Sequence, residues 1–381
     1  MSLAQFTLGA RLRAQHTRRP VPAAHYSPAI PPTGGIAATI TTDAAHLYLT
    51  ATDGTTTRTG TNRTALDALA AYGIGMTEQR RPLIVATTAD LAALTDLAHA
   101  HHDHPASPVI AWWDQRADHP GTDAVHIATD TARHRWILGV HPDAERTPDT
   151  WAHWLNITTT GPQQLLDLAT LTTTGPLLPG LLHASILDTA SWTRHQNRTT
   201  AGRPWWLPDT RIDAALGLLA RSHATEWYES LRLDDPRVAL AASHDGSVVP
   251  AVVTAHDETV VELIADRPLS RLRVGTKIAG WRGDPINAGT TDCLTGTIDA
   301  TTIDRDAHLR ITITDVPRRA QIAPGDRITL RPARVDPNMQ SNARTLAAMG
   351  YRRGTNWIAG RGKPTTRRGN VPLDVIAAAA D

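Results

Sequence analysis

The chain has 381 residues, of which 41% are hydrophobic and 20% charged, with a formal net charge of +1. That length exceeds an ordinary single domain, and that composition excludes wholesale disorder. No run approaches the ~18 apolar residues of a membrane span, and a lone Cys293 permits neither an internal disulfide nor an all-cysteine zinc site.

Residues 1–35 carry Arg11, Arg13, Arg18 and Arg19 without an acid, then five prolines from Pro20 to Pro32. Proline at that density predicts a mobile or extended basic arm. The segment has no continuous apolar core of the signal-peptide kind, so a cytoplasmic location is expected.

From Ile36 the pattern predicts an α/β sheet domain over 36–145, in the order strand, strand, strand, helix, strand, helix, strand. Three alternating segments (IAATITT, HLYLTA, TTTRTG) are joined by turns at Asp43 and Asp53-Gly54. A helix over Thr64–Tyr72 stops at Gly73, Leu83–Ala86 is a buried strand, a helix starts near Asp90, and Val109–Trp113 is a further strand.

Residues 146–235 read as a helical region. Its strongest helix runs from Asp209 as N-cap to about Leu231, with Ile212, Leu216, Leu219, Ala220 and Trp227 on one face. From 236 to 335, short strands at regular spacing (VALAAS, SVVPAVVTA, TVVELIA, LRVGTKIAGW, CLTGTIDA, HLRITITDV, DRITLRP) predict a small β-barrel or sandwich. A basic tail over 336–381 follows, with one short helix at Ser341–Met349. The fold class is therefore multidomain, α/β plus all-β, and no internal repeat stands out.

Charge is unevenly spread. From Pro317 to Asp381 twelve basic residues face four acids, a surplus of +8 that leaves −7 for the rest. Arginine supplies nearly all of it, with lysine only at Lys277 and Lys363. Together with abundant alanine and threonine, this usage suggests a GC-rich bacterial genome. In the tail, Tyr351 and Trp357 alternate with Arg344, Arg352, Arg353, Arg361, Lys363, Arg367 and Arg368. Guanidinium groups pair with phosphates and exposed rings stack on unpaired bases, so DNA or RNA is the expected partner. Arg271, Arg273, Lys277 and Arg282 would extend the contact onto the barrel.

Other constellations compete with this reading. His99, His101, Asp103 and His104 spell H-x-H-x-D-H, which resembles the metal-binding signature of metallo-β-lactamase-type hydrolases. Here it follows helix-spaced leucines, and positions 99 and 101 lie ~200° apart on a helix, where they cannot converge. The expected state is a solvated last turn, with no metal and no cofactor. The element order of 36–115 resembles a ribonuclease H-like fold, whose nucleases hold metals on clustered carboxylates. Asp43, Asp67 and Asp90 are the candidates that resemblance implies.

Gly360–Thr365 departs from a phosphate-binding loop at its first glycine and at Pro364. Cys293 sits in a predicted strand as a packed thiol. The tryptophans, eleven against one phenylalanine, include the pairs Trp112-Trp113 and Trp205-Trp206. With Trp151 and Trp154 these supply aromatic core volume; the alternative, since neighbours in a strand face opposite sides, sets one of each pair against another domain or a protein partner of the helical region. The leading expectation is a nucleic-acid-binding accessory protein without a catalytic centre. A metal-dependent nuclease and a protein–protein scaffold are its alternatives.

Overall fold

The computed structural model describes residues 2–75, 80–207, 211–283 and 293–338. The chain divides into two units, one of residues 1–207 with 224–337 and one of 208–223 with 338–381. Of the second unit, the described part is essentially the N-terminal half of one helix.

The N-terminus is a helix, α1 (Leu3–Thr17), contrary to the extended arm expected from its prolines. Ser2 and Gln5 form a reciprocal capping box at its start, and Arg18 closes it in the left-handed region. The prolines come only afterwards, in a strap that is pinned rather than mobile. Its β1 (Val21–Pro22) pairs with β7 (Trp136–Ile137). Asp235 accepts the His25 and Tyr26 N–H groups, each at 2.7 Å, and the Tyr228 hydroxyl donates to the Pro28 carbonyl.

The expected α/β region is present as a five-stranded mixed sheet. Its strands are β2 (Ile36–Thr42), β3 (Leu47–Thr52), β4 (Thr57–Thr61), β5 (Leu83–Val85) and β6 (Val125–Ile127), in the order β4-β3-β2-β5-β6. β2, β3 and β4 form an antiparallel meander, while β5 and β6 run parallel to β2. Alternation in β2 decides its two faces. Ile36, Ala38 and Ile40 join a core with α2 (Arg63–Ala70), α3 (Thr88–Ala100) and α4 (Ser107–Ala117). Ala37 faces the opposite core, built by α5 (Ala128–Arg135), α6 (Pro148–Leu155) and α7 (Gly161–Thr172), with a 3-10 turn at Pro142–Arg146 between α5 and α6.

Val109–Trp113 lies in α4 and is not a strand. The buried set Val109, Trp112, Trp113 and Arg116 has helical spacing, and Pro108 stands in the first turn where a missing N–H costs nothing. Trp112 and Trp113 therefore share one buried face. The fifth strand of the expected order is β6, which lies further along the chain, at Val125–Ile127.

Two long helices follow, α8 (Leu182–Thr200) and α9 (Arg211–Arg232), then α10 (Pro236–Ala242). α10 replaces the expected strand VALAAS. Asp235 caps it by accepting the Arg237 and Val238 N–H groups, and Pro236 presets the first turn.

The C-terminal strands close into a six-stranded antiparallel barrel: β8 (Val249–Asp257), β9 (Val260–Ala265), β10 (Lys277–Trp281), β11 (Cys293–Ile303), β12 (Leu309–Thr314) and β13 (Arg327–Pro332), ordered β10-β11-β12-β9-β8-β13. It is built twice, a repeat the sequence hides. β8-β9-β10 and β11-β12-β13 each make a hairpin bulged in its first strand, at Val253/Ala255 and at Ile298/Ala300. Each hairpin leads to a glycine turn, Gly275 (φ 83°) or Gly325 (φ 94°), and then a third strand. The turns lock reciprocally: Gly275 N–H donates to Ile298 at 2.7 Å, and Gly325 N–H donates to Val253 at 2.8 Å. Across β10 and β13, Gly280 stands opposite Leu330, its own counterpart, so a pseudo-two-fold axis passes between them. A Cβ at Gly280 would come within 2.8 Å of Leu330. Only Gly275/Gly325 and Ile278/Ile328 recur identically between the third strands and their turns, and the two hairpin loops differ in length.

α8 is tied to the sheet by a buried charge network. Asp188, with no exposed surface, accepts from Arg116 Nε at 2.5 Å, the Thr122 hydroxyl at 2.7 Å and the Asp123 N–H at 2.8 Å. Burial pushes its carboxyl up, against the pull of Arg116. Asp188→Asn should leave Arg116 buried without its counter-charge, at a cost of about 3–5 kcal/mol in urea unfolding. A loss under 1 kcal/mol would mean that the network does not hold α8.

His134 packs on Tyr228 of α9, with ring centroids 6.1 Å apart. Burial, then Arg232 and Arg133, push its imidazole down to about 3. The unfolded chain therefore takes up this proton first, from a pH of about 6.5. Stability is complete above that pH and is lost progressively as pH falls towards 3. His134→Gln should flatten that slope in denaturant melts taken between pH 7 and 4.5, and an unchanged slope would refute the assignment.

Candidate nucleic-acid interface

The predicted tail residues Arg344, Tyr351, Arg352, Arg353, Trp357, Arg361, Lys363, Arg367 and Arg368 lie outside the described residues. The basic residues of the barrel are described, and most have acidic partners within the chain. Arg271 meets Asp245 at 3.5 Å, Arg282 meets Asp326 at 3.4 Å, Arg310 meets Asp304 at 3.0 Å and Arg318 meets Glu258 at 3.3 Å. Arg327 pairs with Asp266. Arg273 and Lys277, also expected to extend the contact, are exposed.

Arg331 and Arg334 converge on Asp234, just before α10. Arg331 approaches to 3.1 Å, its guanidinium lying over the Trp281 ring at 5.4 Å, and Arg334 binds the other carboxylate oxygen. Asp234 and Arg331 are both buried. Trp281 is the repeat counterpart of Arg331, so an equivalent position has diverged from ring to cation, and the cation now anchors the barrel to the helical body. Arg331 is a structural arginine, closed off from an external anion, while Arg334 reaches the same carboxylate from an exposed position.

Of the candidate metal and nuclease residues, Asp67 and His104 are brought together, whereas Asp43 and Asp90 are engaged in separate turns. Asp43 closes its own turn, accepting from Ala45, His46 and the Tyr48 hydroxyl, and those bonds hold its carboxyl below the usual range. Asp67 meets His104 Nε2 at 3.0 Å, and Asp90 caps α3 through Thr87. Asp103 pairs with Arg63 at 3.1 Å. Among the described residues, one group alone gathers metal-type ligand atoms within 4.8 Å of one another, namely Asp304, Asp306 and His308 in the β11–β12 loop. Asp304 there already accepts from Asp306 N–H, His308 N–H and Arg310. Cys293 begins β11, partly buried, as the strand pattern implies.

The histidine run instead meets aromatic rings. Past the end of α8 the chain returns to α3, where Trp205 lies 5.2 Å from His99 and Trp206 lies 4.7 Å from His102. The two indoles meet edge to face at 6.0 Å and 87°. Trp205 packs against the sheet core, whereas Trp206 is 40% exposed. Arg198 and Arg203, both exposed, precede them in the chain, and the Arg203 N–H donates to the Arg198 carbonyl at 3.0 Å. Sequence reasoning marked the tryptophans and passed over these arginines. The available signal was a stretch from Thr189 to Leu207 with Arg194, Arg198 and Arg203 and no acid.

Against known protein families, curated proteins and solved structures, the chain matches none. Among the described residues, no helix is long and apolar enough to cross a membrane.

Asp234→Asn should strand Arg331 beside Trp281 and cost about 3 kcal/mol of stability, read by urea unfolding. A near-neutral result would show that the two cations are solvated rather than anchored.

Proposed function

We propose that the protein binds a nucleic-acid strand without reacting on it. Arg344, Arg352, Arg353, Arg361, Lys363, Arg367 and Arg368 contact phosphates, and Tyr351 and Trp357 stack on bases. What supports this reading is the distribution of charge. Within the barrel the cations are largely matched by the chain's own acids. Residues 338–381 then hold seven cations against two acids, +5, while residues 1–337 carry −4. A surplus of that kind is the electrostatic footprint of a polyanion partner.

The order β4-β3-β2-β5-β6 agrees with a ribonuclease H-like arrangement, which supports a resemblance of fold. Fold does not carry activity, and the separate engagements of Asp43, Asp67 and Asp90 weigh against a nuclease. A second reading, a protein contact of the helical region, is favoured by Leu182 and Ile186. They lie one turn apart on α8 at 61% and 64% exposure.

Fluorescence anisotropy with labelled single- and double-stranded oligonucleotides tests the proposal. Affinity should fall steeply as salt rises, because each phosphate contact releases counterions. Arg352→Ala with Arg353→Ala should reduce the salt slope by about 2. No binding of either oligonucleotide at low salt would end this reading.

A further inference from the structure

We infer that Trp206, set on Trp205 and flanked by Arg198 and Arg203, forms a stacking platform for the unpaired bases of a single-stranded nucleic acid. The inference rests on the reading above that the ligand is a nucleic acid. It adds the strand state and contact residues from another part of the sequence.

The geometry has an anchor and a presented ring. Trp205 is held by the core and by His99, and its edge-to-face contact fixes the plane of Trp206. His102 supports Trp206 through a contact tilted by 34°. A ring supported in this way loses little side-chain freedom on binding, while 40% of Trp206 remains available. An indole of this size at the surface is an expensive exposure for a core-type residue.

Charge selects the occupant. Thr189 to Leu207 holds three arginines and no acid, and Arg198 and Arg203 are exposed. Asp103, next to His102, is paired with Arg63, and Asp114 interacts with His99, the residue that touches Trp205 rather than Trp206. An exposed ring in a segment whose charged side chains are all arginines suits a ligand with a π-surface and an anionic backbone. In a duplex every base face is covered by its neighbours, so only an unpaired base can lie on Trp206.

The test uses the full-length protein, a labelled oligothymidylate of roughly 20 nucleotides and a duplex of equal length. Trp206→Ala should weaken oligothymidylate binding about tenfold and leave duplex binding unchanged, with Trp206→Phe restoring most of the loss. Arg198→Gln with Arg203→Gln should lower the salt slope for the single strand by about 1.4. Equal oligothymidylate affinity for Trp206→Ala and wild type, with Arg352→Ala/Arg353→Ala still weakened, overturns the platform and leaves the nucleic-acid reading standing. Tighter wild-type binding to duplex than to single strand also overturns it. Failure of the wild type on both oligonucleotides removes the general reading and this one together. Concentration-dependent self-association abolished by Trp206→Ala would assign the ring to a second copy of the chain and likewise overturn the inference.

Discussion

One buried carboxylate sets the position of everything that α8 carries. Asp188 cannot stay ionised in the interior without compensation, and Arg116, Thr122 and the Asp123 backbone supply it from the segment leading into β6. Asp123 in turn binds Arg80, whose guanidinium reaches the Ser185 hydroxyl on the same helix at 3.0 Å. The helix is thus fixed in register as well as orientation, since a shift by one residue would separate Asp188 from all its donors. Trp192, one turn further on, packs edge to face on Trp112 at 4.8 Å, and Ser191 accepts the Trp112 indole N–H. Beyond that turn α8 is mostly exposed, so its direction is inherited from the buried half. The return of the chain to His99 and His102 depends on it.

The barrel solves a different problem by repetition. Two copies of one bulged hairpin and turn, bonded reciprocally through Gly275 and Gly325, close six strands without leaving an edge. A symmetric barrel has no reason to sit one way round on an asymmetric body. The divergence of Trp281 and Arg331 supplies that reason. The cation reaches Asp234 while its counterpart ring covers it, and the symmetry is broken where the barrel meets the helices.

Much of the architecture was legible in the sequence where the local signal and the tertiary environment agree. The β2–β3–β4 meander, α2, α3 and the strands from β8 to β13 carry alternation or helical spacing, with turn residues between them. Val109–Trp113 misled because a short apolar run suits a strand or a helix, and Arg116, the polar member of its buried face, had to be counted to decide. VALAAS misled because its β-branched start outweighed the Asp-Pro cap before it. α1 was hidden by prolines that begin only after it ends. The tandem repeat could not be read because backbone bonds conserve it while its side chains have diverged. The Trp205-Trp206 pair was visible, but its partners lie a hundred residues earlier, and only the folded chain brings them together.

The same residue type does opposite work in this molecule, and burial separates the cases. Arg331 is 6% exposed, and burial pulls its guanidinium below the ordinary arginine range; its charge is spent on Asp234. Arg116 is equally committed to Asp188. A count of arginines, in a chain that uses almost no lysine, therefore says little about ligands. What carries information is the arginine whose surroundings offer no carboxylate. Arg198 and Arg203 are exposed in a stretch of sequence without acids, close in the chain to a ring that the fold holds at the surface. Positive charge left over after internal pairing, placed beside an aromatic face, is the combination that an anionic polymer with exposed bases can use and that the protein's own interior does not.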